Sequence, residues 1–407
     1  MRVLILSATT GGGHMRAANA LKEYILSKDE KSAVEILDTI EYVSPFLNKA
    51  VTNGYVVMAT KTPKLFGGVY KSSDKNTPIN KTVELAMTGL RKRLLPMIIQ
   101  FRPDIVVTTH AFATELISAL KTKENLPVPI VSIVTDFAIH KTYINKGVDA
   151  YIVSSEEMVH QMLRRGLPRE ILYPYGIPVM QEFLKKIDRK AALEEEGMDP
   201  SLPTILIMAG SFGVTDVLKI YHKVVLSKAD FQVIVITGKN EKLYETFEKY
   251  LMKIDINNTL FELQRLYPSI RQKSSLRHSK HLKASKPTRL LYYTSEVEKY
   301  MQLSDMIVSK PGGLTVSEAI ATGLPMGIFK AIPGQEEQNA DYLVRNGMAV
   351  RLFKDNSCTE KITDLIMNPD KLKKMKESIE KKSNGNSAAR IYGLLGTLVE
   401  KYQKQKH

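Results

Sequence analysis

The 407-residue chain contains no tryptophan and one cysteine, Cys358. A single thiol builds neither a disulfide framework nor a cysteine-rich metal site, and it suits a reducing, cytosolic compartment. Without tryptophan, base stacking would rest on Tyr and Phe. No RNA- or DNA-binding signature accompanies them, so nucleic acid is not an expected partner. No run approaches the ~20 apolar residues of a membrane-spanning helix. The apolar residues between Arg2 and the first glycines are fewer than a secretory signal needs. Negative charge is scarce too: 43 Asp and Glu stand against 58 Lys and Arg, a formal net charge of +15. Such an excess suits an anionic membrane or a phosphorylated small molecule, and it also serves plain solubility.

What is present is an α/β pattern. Runs that are largely apolar, "RVLILS", "AVEILD", "DIVVTT", "PIVSIVTD" and "AYIVSS", alternate with helical spacings such as Ala17, Ala18, Leu21 and Ile25. Strands of that kind belong to parallel sheets covered on both faces. The pattern restarts at "PTILIMAGSFGV" and continues through a helix over Asp216 to Lys228, "FQVIVITGKN" and "MIVSKPGGLTVSEAIATGLP". Two doubly wound, Rossmann-like domains are predicted, 1–178 and 179–385, hinged at "YGIPV". A basic-ended amphipathic helix over 386–407 is expected to pack back toward the first domain. Ligands on such sheets bind beyond the carboxyl ends of the strands, so two facing sheets make a cleft. Residues 53–99 lack clear strands. From Leu263 to Ser295 there is no acidic residue but eight basic ones, and 255–289 reads as a basic insertion.

Several residues carry chemistry in this frame. "SKPGGLTVSE" ends a strand at Ser309, turns at Pro311, Gly312 and Gly313, and opens a helix at Thr315. N–H groups at a helix start make an anion site, and Glu318 one turn on suits a ribose diol. An ordinary turn with a surface glutamate is the plainer reading. "PGQEEQNADYL" sets Gly334, Gln335, Glu336 and Asn339 close together, side chains that suit sugar hydroxyls; a polar helix start is the alternative. "TTGGGH" matches neither G-x-G-x-x-G nor a P-loop. His14 is its one titratable group, a base near neutral pH or a helix cap. Asp136 and His140 in "VTDFAIH", and Asp38 in "VEILD", lie at strand ends. There they face ligand or cap the next helix, while His110 reads as a wall residue. No metal-ligand spacing and no nucleophile elbow is present, so no metal is expected.

"TTGGGHMRAANAL", "VTDFAIH", "IMAGSFGV", "SKPGGLTVSEAIATGLP" and "PGQEEQNADYL", in that order, resemble the diacylglycerol glycosyltransferases, bacterial processive glucosyltransferases and plant monogalactosyldiacylglycerol synthases. The likeness runs from about Arg2 to Tyr392 and is more distant to the lipid-linked N-acetylglucosaminyltransferase of peptidoglycan synthesis. It implies a GT-B fold, an inverting and metal-independent reaction with no cofactor, a UDP-hexose donor in the second domain and diacylglycerol reaching the first from the membrane's cytoplasmic face. By motif it implies that Gly312, Gly313 and Thr315 bind the diphosphate and Glu318 the ribose. Gln335, Glu336 and Asn339 would read the hexose, and Ser211, Phe212 and Gly213 would line the UDP. Gly12, Gly13 and His14 would stand at the acceptor, with His14 as base and Asp136 as runner-up. Against the family pattern, 255–289 looks like an added basic segment suited to anionic lipid. "GLRKRLLPMIIQF", with Arg91, Lys92 and Arg93, suits interfacial insertion or a buried helix with a basic face. The competing classes are a soluble UDP-sugar epimerase and a non-enzymatic nucleotide-sugar sensor.

Overall fold

The computed structural model describes residues 1–9, 12–45, 88–209, 217–266, 286–353, 355 and 357–405. Within them the chain forms two six-stranded sheets, each parallel throughout. The first is built from β1 (Arg2–Ser7), β2 (Ala33–Asp38), β3 (Ile105–Thr108), β4 (Ile130–Ile133), β5 (Ala150–Ile152) and β6 (Leu172–Tyr173), in the order β2-β1-β3-β4-β5-β6. Its helices are α1 (Gly13–Lys28), α2 (Thr39–Val43), α3 (Leu95–Phe101), α4 (Ala111–Glu124) and α5 (Glu156–Leu163).

After α6 (Arg189–Glu195), the second sheet comprises β7 (Thr204–Met208), β8 (Gln232–Ile236), β9 (Thr288–Leu291), β10 (Met306–Ser309), β11 (Met326–Ile328) and β12 (Ala349–Arg351), in the order β12-β11-β10-β7-β8-β9. Its helices are α7 (Val217–Val225), α8 (Glu241–Leu266), α9 (Val297–Leu303), α10 (Gly313–Ala321), α11 (Gln335–Arg345), α12 (Ser357–Met367) and α13 (Pro369–Lys382), before the terminal α14 (Ser387–Lys404).

Apolar packing explains the layers. Alternate residues of β1 feed opposite faces of the sheet: Leu4 and Leu6 join Leu116, Ile117 and Leu120 of α4, while Val3 and Ile5 join Leu21 and Ile25 of α1. Burying a side chain of this size is worth roughly 1.5–3 kcal/mol. Helix α14 completes the second of these layers with Ile391, Leu394, Leu395 and Leu398, although it follows the second domain in sequence. Its end is tied down by Tyr402, whose hydroxyl donates to Asp149. The chain thus crosses between the domains twice, and the crossings touch. The Ser387 hydroxyl donates to Gly176 O at 2.7 Å, and Asn384 Nδ2 to Ser154 O at 2.8 Å. Ala17 and Phe137 of the first domain enter the second domain's core cluster, so the domain contact is partly apolar.

Two expectations about basic segments change. The two ends of 255–289 are regular elements of the second domain. The start belongs to α8 and the end to β9, the edge strand paired with β8; 267–285 lie outside the described residues. Lys286 donates to Ala229 O, and Arg289 Nε lies 3.2 Å from Glu196 Oε2, so these two cations are engaged within the protein. In "GLRKRLLPMIIQF" the helical period puts Leu94, Ile98 and Phe101 into the core. Arg91 is buried with them, and Arg93 Nη1 donates to Val43 O at 2.6 Å. Of the three cations Lys92 carries no such tie and is exposed, and Ile99 is 67% exposed. The segment is mainly a packed helix rather than an inserted one.

Candidate active site between the two sheets

Each sheet has a switch point, where successive crossovers leave in opposite directions. The first lies between β1 and β3 and the second between β7 and β10. Ligand crevices form at such points, beyond the strand ends. The turn after β1 opens α1 and the turn after β10 opens α10, and the two helix starts face each other across the cleft. An added Cβ on Gly13 would stand 3.6 Å from Leu314 Cβ.

The two turns use glycine differently. Gly12 has φ 73° and ψ −22°, a left-handed conformation that an L-residue adopts at a cost of roughly 1–2 kcal/mol. Gly312, at φ −65° and ψ 142°, has ordinary extended backbone and open space where a Cβ would be. Gly313 is there for close approach: a Cβ would fall 1.9 Å from Thr135 O of the other domain. The pair expected to bare the backbone for a diphosphate is therefore split. Gly312 faces open space and Gly313 faces protein.

His14 sits in the first turn of α1. Its Nδ1 lies 2.8 Å from Thr109 O and 2.8 Å from the Thr135 hydroxyl. A carbonyl only accepts, so Nδ1 carries the proton and Nε2 keeps its lone pair. The ring meets His110 edge-on at 4.6 Å. Burial depresses the His14 pKa to about 4, partly opposed by the bond to Thr109. The expectation of a base near pKa 7 thus gives way to an imidazole that stays neutral well below neutral pH. The capping alternative also falls, because Gly12 is the N-cap and no side chain caps α1. His110 is a cap, accepting from Phe112 N at 3.2 Å, with a pKa held well below the ordinary value by burial and then by His14.

Asp136 is buried at the domain contact. Its Oδ2 accepts from Gln335 Nε2 at 2.9 Å and its Oδ1 from Asn339 Nδ2 at 3.1 Å. Asn339 also donates to Pro311 O at 3.0 Å and accepts from Phe137 N at 2.8 Å. Its amide is thereby a strut between the domains. Burial raises the Asp136 pKa to about 7, with Asn339 opposing and Glu336 adding. Asp136 caps no helix; its carboxylate reaches across the cleft.

In the second domain, Gly334 holds φ 113° and ψ −121°, a conformation open to glycine. Glu336 Oε2 accepts from Ile332 N at 2.8 Å, and burial raises its pKa while Lys310 lowers it. The Ser309 hydroxyl donates to Met208 O at 3.3 Å, tying β10 to β7. Thr315 is half-buried in the first turn of α10. Glu318 is not the surface residue of the plainer reading. It is buried, its Oε1 lies 3.3 Å from Arg16 Nη1, and its Oε2 has no hydrogen-bond partner among the described residues. Burial raises its pKa to about 7, with Arg16 pulling it down.

Other candidates stand apart from this cluster. Asp38 is the N-cap of α2, accepting from Glu41 N at 3.1 Å and from Thr9 N at 3.0 Å. His140 caps a short 3-10 turn, with Nδ1 accepting from Thr142 N at 3.3 Å. Both thus have a local capping role. Ser211, Phe212 and Gly213 lie outside the described residues. Among the described residues no group of three or more His, Cys, Asp or Glu could hold a metal ion. Sequence reasoning overlooked Arg16, Thr109, Thr135 and Lys310. Lys310, next to the PGG turn, was the legible one; Arg16 and the threonines matter through partners distant in sequence.

The monogalactosyldiacylglycerol (MGDG) synthase family profile matches residues 14–179, and the glycosyltransferase family 28 C-terminal domain matches 204–391. A processive diacylglycerol beta-glucosyltransferase of Bacillus cereus is 27% identical over 406 residues, covering 100% of this chain and 95% of that protein. The protein of the same name from Bacillus licheniformis is 25% identical, covering 95% of this chain and 92% of its own length. Among solved structures, Acinetobacter baumannii MurG superposes with a TM-score of 0.57 over 97% of this chain and 99% of its own, at 16% identity, which speaks to a shared GT-B fold. Two domain matches in order, joined by full-length relatives, show that the chain belongs to the diacylglycerol glycosyltransferase family.

Proposed function

We propose that this enzyme transfers a hexose from a UDP-sugar to diacylglycerol, with inversion and without a metal, at the cytoplasmic surface of the membrane. The observation that carries this reading is the meeting of the two switch points. A neutral His14 with its Nε2 lone pair free of the Thr109 bond starts α1, and the open Gly312 backbone starts α10 across the cleft.

The chemistry follows from that placement. The acceptor hydroxyl must lose its proton as it attacks the anomeric carbon in line with departing UDP. His14 Nε2 takes that proton, while Thr109 holds the ring in the tautomer that leaves Nε2 basic. A conjugate acid of pKa about 4 makes a weak base that is always in its active form at neutral pH. Asp136 is the runner-up; its pKa of about 7 suits proton transfer, but both its oxygens are bonded across the cleft. The leaving diphosphate gains negative charge. The N–H groups at the start of α10, its dipole and nearby Lys310 stabilise it without a metal. Glu318 receives the ribose, and Gln335 and Glu336 read the hexose.

Among the described residues no helix is long and apolar enough to cross a membrane. Peripheral contact with anionic lipid is supported by the net charge of +15 and by exposed Lys92 and Ile99. The test is turnover of UDP-glucose and UDP-galactose with diacylglycerol liposomes, with and without a chelator, and with the anomeric configuration of the glycolipid determined. Lipid-dependent UDP release in the presence of chelator supports the reading. UDP-sugar consumption that ignores lipid, or turnover lost to the chelator, overturns it. Liposome binding that weakens with salt supports the electrostatic contact.

A further inference from the structure

We propose that Arg16, a residue of the acceptor domain, is a positioning residue for the donor: it holds Glu318 of the other domain ionised and in place, so the ribose site is complete when the domains are closed. The inference rests on the reading of Glu318 as the ribose ligand.

Arg16 lies in the first turn of α1, two residues after His14, and reaches across the cleft to Glu318 in α10. Its side chain is 42% exposed, whereas that of Glu318 is 3% exposed. The guanidinium therefore approaches from the solvent side and touches Oε1 alone, at 3.3 Å. Oε2 is buried and has no hydrogen-bond partner among the described residues. A buried carboxylate oxygen left bare is costly unless a ligand hydroxyl meets it. The charged groups acting on Glu318 are Arg16 from α1, which favours its anion, and Glu298 from α9, which opposes it. Arg16 is thus the cation that offsets burial there. One helical turn of the acceptor domain then carries both the proton acceptor and the support for donor binding. This couples occupancy of the donor site to domain closure.

The experiment compares Arg16→Ala, Arg16→Lys, Glu318→Gln and the double variant Arg16→Ala/Glu318→Gln. It measures kcat and KM for UDP-hexose between pH 6 and 9 and UDP affinity by calorimetry. Arg16→Ala is expected to raise KM about tenfold at pH 7 with a smaller change in kcat. The deficit should shrink toward pH 9, where Glu318 ionises unaided. Arg16→Lys should recover part of the loss, and the double variant should be no worse than Glu318→Gln alone. If Glu318→Gln weakens the donor but Arg16→Ala does not, the role of Arg16 is wrong and the ribose reading stands. The role of Arg16 is equally wrong if the two losses simply add. If Glu318→Gln leaves donor affinity unchanged, the ribose reading itself fails.

Discussion

The turns after β1 and β10 occupy equivalent places in two similar sheets, yet burial pushes their ionisable groups in opposite directions. In the first domain it lowers the pKa of His14 to about 4 and holds that of His110 well below its ordinary value. In the second it raises Glu318 to about 7 and lifts Glu336. Desolvation opposes charge of either sign. The first turn consequently keeps neutral imidazoles, and in the second burial works against the ionised carboxylates. In the proposed reading the proton-accepting task falls to the side where neutrality means an available lone pair, and the ribose and hexose tasks to the side where a buried carboxylate waits for hydroxyl partners.

Breaking the contact between the turns should have the largest effect. Gly313→Ala places a methyl 1.9 Å from Thr135 O. The domains must then part, and turnover is expected to fall on the order of 10²-fold or more. Small-angle scattering should show a larger particle. Gly312→Ala meets no atom within 4 Å, so its particle size should match wild type even where donor KM rises. Equal expansion in both variants would contradict the division of labour between the two glycines.

Removing the proposed base comes next. His14→Ala should cut kcat by about 10²- to 10⁴-fold with UDP affinity nearly unchanged. The pH profile sharpens this assignment. A rate that depends on neutral His14 holds down to about pH 4, whereas one that depends on ionised Asp136 falls as pH drops through about 7. An acid limb in kcat near 7 that vanishes in Asp136→Asn would transfer the base role to Asp136.

The opposed shifts also predict how stability follows pH. Asp136 and Glu318 have folded pKa values above their ordinary ones. The stability they contribute is fully present below about pH 4 and is lost as pH rises through about 7. His14 has a folded pKa below its ordinary value, so its contribution is present above about 6.5 and lost as pH falls through about 4. Asp136→Asn should flatten the decline between pH 4 and 7 in chemical denaturation, and His14→Gln should steepen it. A decline unchanged in Asp136→Asn would mean that its carboxyl is not neutralised by burial. The smallest expected effect is Gly12→Ala, about 1–2 kcal/mol from the left-handed backbone, seen in the same measurement.

Much of the fold was legible because buried parallel strands are mostly apolar. β1, β2, β3, β4, β5, β7, β8 and β10 stand inside runs recognisable in the chain. β9 was not, because "TRLL" is an edge strand with partly exposed residues and sits in a basic stretch. The candidate site was legible as turns and residue types, since glycines and a histidine after a strand mark a ligand edge. Its internal wiring was not. Asp136 and Asn339 are 203 residues apart in sequence and 3.1 Å apart in space. His140 and Asp38 have the same residue types at strand ends and turned out to be caps, a difference decided by local backbone.

The order of residues therefore specifies two α/β domains, the turns that open α1 and α10, and the family. Those follow from local periodicity and backbone permissiveness, which act over a few residues. How the turns meet was decided by tertiary structure. That includes which glycine faces protein, which way each pKa moves, and that Arg16 of one domain supports Glu318 of the other. Burial and distance across a domain contact exist only once both sheets are packed, and no spacing along the chain encodes them.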